Sequence, residues 1–181
     1  MAFNKPKSVT NQCCESAEKI LNQSQGQPSY SSHHPGHPRY HVLCNPNFDR
    51  FTILSDLPSL GCIEAVTQHL GNTKTAFLSK HDQNSCLHDV LNTPTGKEAV
   101  RLLNSNRNEI LIRAPVHELL NNNFLRMVEV VHGDRLEEQQ ASSVVLILGH
   151  HVDKADGRYV HVKTFYPTNR HINSSIIETL H

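Results

Sequence analysis

A chain of 181 residues suffices for one domain of ordinary size. Its 17 Lys plus Arg balance 17 Asp plus Glu, which argues against a general nucleic-acid coat protein, although a few local cations can still hold one phosphate. Five cysteines, an odd number with Cys13 beside Cys14, argue against a closed disulfide framework, and the 14 histidines make the charge sensitive to pH near neutrality.

The N-terminus holds no apolar core of signal-peptide length, and no apolar run approaches membrane-spanning length. The expectation is a soluble chain without a cleaved signal, acting in the cytosol and without membrane insertion. Residues 15–22, ESAEKILN, predict one short helix. The following QSQGQPSYSSHHPGHPR collects Gln, Ser, Pro and Gly with almost no aliphatic residues, so it cannot offset its ordering entropy by burial. Residues 1–38 are therefore expected as a flexible, His/Pro/Ser-rich arm, and 39–181 as a single α+β domain.

YHVLC (Tyr40–Cys44) predicts a short strand ended by Asn45-Pro46-Asn47. SDLPSLGCIEAVTQHLGN predicts a helix: Asp56 caps it, Pro58 suits its first turn, and Leu60, Ile63, Val66 and Leu70 form its stripe. NSCLHDV, with Cys86 and His88, reads as a loop, and Thr95–Asn106 as a second helix. Four strands follow, EILIRAPV, FLRMVEVVH, SSVVLILGHH and RYVHVKTFY, with Asn121–Asn123 turning between two of them. Asp156-Gly157 in VDKADG signals a hairpin between the last pair. Helices first and an antiparallel meander afterwards indicate an α+β fold.

On the last strand, alternation puts Val160, Val162, Thr164 and Tyr166 on one face and Tyr159, His161, Lys163 and Phe165 on the other. The two hydroxyls can donate to a phosphate, and Lys163 can supply charge. Equally, Thr and Tyr are good strand formers and Pro167 a strand stop. The ending VVLILGHHVDKADGRYVHVKTFYPT resembles that of the ribonuclease A-like toxin domains of bacterial contact-dependent inhibition proteins, where a hairpin leads to a Thr-x-Tyr-Pro strand. FTILSDLPSLGCIEAVTQHL is similar to the family's Ser-Thr-Phe-x-Asp segment and its amphipathic helix. The resemblance spans about residues 40–168. It implies N-terminal helices followed by a curved antiparallel sheet.

The family's catalytic set is an early His, an Arg after it, and the Thr and Tyr of the terminal motif. Thr164 and Tyr166 match the last two directly. For the first pair His41 and Arg50 are chosen, at a spacing unlike the family's, with His37 and His161 in reserve. Lys163 and His161 are expected to bind substrate. The resemblance implies a metal-independent ribonuclease of toxin or effector type. In this chemistry a histidine takes the proton of a ribose 2′-hydroxyl, which attacks phosphorus, and a second group protonates the leaving 5′-oxygen. Its partners would be RNA and an immunity protein, and delivery would use a secretion system.

Two further clusters carry ligand or nucleophile chemistry. His33, His34, His37, His41 and Cys44 are zinc-ligand types, but two prolines and a glycine deny them a fixed geometry, and a solvated arm is the plainer reading. No metal or other cofactor is expected. Cys62, just after Gly61 in a helix's first turns, is where a papain-like hydrolase or deamidase would present its thiol, with His117, His132 or His161 as base. Ordinary helix packing is the plainer reading there too. A non-enzymatic protein-binding module is the remaining alternative.

Overall fold

In the computed structural model the described residues are 17–42, 75–105, 108–131, 135–151 and 160–180. The expected helix across Cys62, the turn Asn45–Asn47 and the VDKADG hairpin turn lie outside them. The fold is α+β, with three helices and two antiparallel sheets among the described residues.

Helix α1 (Ala17–Ser24) buries Ala17, Ile20, Leu21 and Ser24, an i, i+3, i+4, i+7 stripe, against the core. A 3₁₀ turn (Pro38–His41) takes the first part of the strand expected over Tyr40–Cys44; Val42 behind it bridges to Phe77, and residues 43 and 44 lie outside the described ones. Strand β1 (Thr75–Phe77) leads to α2 (Lys80–Asn92), whose N-cap Ser79 accepts a hydrogen bond from the Asp82 amide at 3.1 Å. The segment NSCLHDV is thus helix, not loop. Its signal is present, since Gln83, Cys86, Leu87, Val90 and Leu91 are buried at helical spacing, but a glutamine opens the stripe and disguises it. Helix α3 (Pro94–Ser105) lies almost where the second helix was expected.

Strands β2 (Ile110–Pro115), β5 (Ser143–His150), β6 (Val160–Thr168) and β7 (Ile176–Thr179) form one sheet in the order β6-β5-β2-β7. The other holds β1, β3 (Arg126–Val131) and β4 (Arg135–Gln140), with β3 central. The simple meander is therefore corrected. β2 is buried on both faces along nearly its whole length, so it belongs inside a sheet, and it pairs with β5 and β7 rather than with β3. Ile110, Ile112, Ala114, Val144, Leu146, Leu148, Val160, Val162 and Phe165 point into one core beneath the helices.

The expected arm is also corrected from residue 17 onward. Ile20 and Leu21 are fully enclosed, and the segment behind them covers the free edge of β6. Ser24 Oγ accepts from the Val162 amide at 2.9 Å, and the His37 amide donates to the Lys163 carbonyl at 2.7 Å. Gly36 fits there because a Cβ would stand 2.8 Å from the Val162 carbonyl oxygen. What composition missed is that polar backbone can fold by satisfying a sheet edge, without an apolar stripe of its own.

Candidate functional site

The site begins with an irregularity in β6. Ile147 pairs with Thr164 but Leu148 with Val162, so Lys163 is an extra residue in the ladder. That bulge reverses the faces beyond it. The valine row continues into the core through Phe165, whose ring lies 4.9 Å from that of Phe77. Thr164 and Tyr166 share a face with each other, as expected, but it is the face away from the core, not that of the valines.

The register extends this outer face across the sheet. Tyr166 pairs with Val145 and Val145 with Arg113; Thr164 pairs with Ile147 and Ile147 with Leu111. Tyr166, Val145 and Arg113 therefore form one cross-strand row. Arg113 is half-buried, and among the described residues neither its guanidinium nor the Thr164 and Tyr166 hydroxyls have a hydrogen-bond or ion-pair partner. Glu178 of β7, opposite Leu111, shares the face.

His41 closes the β6 side of this group. Its ring centroid is 5.1 Å from that of Tyr166, and its Nδ1 lies 3.3 Å from the Thr75 carbonyl oxygen, which fixes the ring. Thr75 in turn donates through Oγ1 to the Pro167 carbonyl, tying β1 to the strand that carries Tyr166. The His37 ring stands 5.9 Å from His41. The histidine expected from sequence and the terminal Tyr thus meet, with the reserve His37 beside them.

The other expected residues are elsewhere or otherwise engaged. Arg50, Cys44, Cys62 and His132 lie outside the described residues. Lys163 is ion-paired to Glu109 at 3.2 Å and reaches Ser32 Oγ at 3.4 Å, so its charge is directed toward the packed 24–38 segment instead of Tyr166. His161 is wholly buried and donates through Nε2 to the Gln27 carbonyl at 2.7 Å. Burial, with help from the charges of His151 and Lys163 and against the pull of the Gln27 and Ser24 backbone, lowers its pKa from 6.5 to about 4. It is a neutral structural imidazole, corrected from a substrate-binding one.

His33 and His34 are exposed, and no group of three or more His, Cys, Asp or Glu among the described residues could hold a metal ion. His117 is exposed too; with Asn123, Gln140, Ser142 and His171 it lines an open cleft of about 280 Å³. Cys86 is buried, and desolvation, then Asp89 and Asp82, push its thiol pKa well above the ordinary range. Among the described residues no helix is long and apolar enough to cross a membrane.

Arg113 is the residue that sequence reasoning passed over. Its signal was a lone cation inside EILIRAPV, alternating with the core-facing Ile112 and Ala114. Comparison with protein families, with curated proteins and with solved structures finds no match.

Proposed function

We propose that the protein is a metal-independent endoribonuclease of ribonuclease A-like toxin type, with its active centre where the outer face of β6 meets the 3₁₀ turn. The observation that supports it best is the approach of the His41 and Tyr166 rings to 5.1 Å between centroids, with the Thr164 and Tyr166 hydroxyls on one face and without a hydrogen-bond partner among the described residues. In this reading His41 accepts the proton of the ribose 2′-hydroxyl as its oxygen attacks phosphorus. The bond to the 5′-oxygen breaks, and that oxygen takes a proton from His37. Two hydroxyl donors aimed at the phosphorane oxygens supply the electrostatic part of the rate gain. The products are a cyclic phosphate end and a 5′-hydroxyl end.

A nuclease of this kind is dangerous to its producer. An immunity protein with an acidic surface suits a cleft that binds phosphates. Delivery into a target cell, RNA as the substrate and action in the cytosol belong to the same proposal.

Incubation with total RNA, followed by end-group analysis, tests it. Fragments ending in a cyclic phosphate, produced equally in the presence of a chelator, are expected. RNA left intact by the wild type, or cleavage that stops with chelator and returns with zinc, overturns it.

A further inference from the structure

A lone guanidinium that is half-buried on a sheet face normally has a carboxylate beside it, because its desolvation must be offset. Among the described residues Arg113 has no such partner, although it sits in a strand paired on both sides. Its two nearest cross-strand neighbours are Val145 and Ile176, neither able to accept a hydrogen bond. In the same row, two strands away and roughly 10 Å by ordinary strand spacing, is Tyr166. Val145, between them, is almost completely enclosed, so the accessible part of the row is its two ends, Arg113 and Tyr166.

We propose that Arg113 binds a backbone phosphate of single-stranded RNA, in the row that it shares with Tyr166. The assignment rests on the ribonuclease reading for the identity of the anion, and adds the cation that this reading otherwise lacks among the described residues. The planar fork of arginine matches two phosphate oxygens at once, while Thr164 and Tyr166 supply neutral donors from the other side. Lys163 cannot substitute, since Glu109 holds it. Glu178, exposed on the outermost strand of the same face, repels a phosphate on that side and thereby favours its approach to Arg113 from the side of Tyr166. Arg113 is thus a binding residue whose charge is available to a developing phosphorane.

The test separates binding from cleavage by using a short single-stranded RNA with 2′-O-methyl riboses, which cannot be cut by this route. Its affinity is measured by fluorescence anisotropy over a series of salt concentrations for the wild type, Arg113→Gln and Arg113→Lys. Arg113→Gln is expected to bind about tenfold or more weakly, with the slope of log affinity against log salt reduced by about 0.7 in magnitude, as for one lost phosphate contact. Arg113→Lys should keep the wild-type slope, because its charge remains, and recover only part of the affinity. Thermal melting of each variant checks that the sheet is intact; a merely structural role would lower the melting midpoint and leave the salt slope unchanged. Wild-type binding with that altered slope, but no cleavage of natural RNA, upholds Arg113 and removes the nuclease. An Arg113→Gln variant with wild-type affinity and slope overturns the assignment even if RNA is cleaved. So does a wild type that fails to bind the oligonucleotide at low salt.

Discussion

His161 illustrates how a single buried ring ties the stability of this molecule to pH. With Nε2 committed to the Gln27 carbonyl, protonation would add an N–H at Nδ1, a buried atom that makes no hydrogen bond among the described residues. The folded state therefore holds the ring neutral down to pH about 4, whereas the unfolded chain protonates it near its ordinary value of 6.5. Between those values the unfolded state binds more protons, so the stabilisation present above pH 6.5 is lost as pH falls toward about 4. The size of that loss is about 3 kcal/mol from this one residue. Urea unfolding at neutral and acidic pH measures it. His161→Gln, which keeps a donor for Gln27, is expected to show a shallower decline; an identical pH slope would contradict the assignment. Cys86 gives a second prediction at this scale. Enclosed and with its thiolate disfavoured by burial, Asp89 and Asp82, it should resist alkylation in the native protein and react only on unfolding, as read by peptide mapping.

Among the elements, α1 and the strand edge it covers carry the largest difference from expectation. The short helix was legible in ESAEKILN, but its docking was not, because Ser24 and Gly36 serve the β6 edge through one hydroxyl and one close backbone approach. Neither feature leaves a hydrophobic pattern. Leu21→Ala is expected to cost about 2 to 5 kcal/mol through the cavity it leaves, and removal of residues 1–38 should unfold the chain or make it aggregate through the bared β6 edge. A truncated chain that melts as the full chain does would contradict this. β4 and β7 escaped the sequence reading for another reason. β4 reads RLEEQQ, with Glu137 and Glu138 exposed, and β7 is four residues with an exposed, half-exposed alternation. Edge strands of that kind have little apolar content to announce them. The bulge at Lys163 was equally silent, since Thr, Phe and Tyr suit either face of a sheet.

For the molecule as a whole, the α+β class was legible because apolar helical stripes precede long β-branched runs, and that order survives apart from β1. The candidate site was half legible as a place in the fold. Thr164, Tyr166 and His41 are brought to one place, and the sequence identified all three, whereas Arg113 became visible only through the register that aligns β2, β5 and β6. The central claim is that Tyr166 is a catalytic hydroxyl and not merely a strand residue before Pro167. The decisive measurement is the rate of RNA cleavage by Tyr166→Phe, with Val162→Ala as a control from the core face of the same strand. A donor to the phosphorane contributes most in the transition state, so Tyr166→Phe should fold normally and cleave roughly 100-fold more slowly. Val162→Ala should lose stability through a cavity while its folded fraction keeps the wild-type rate. A Tyr166→Phe variant as active as the wild type would contradict the account.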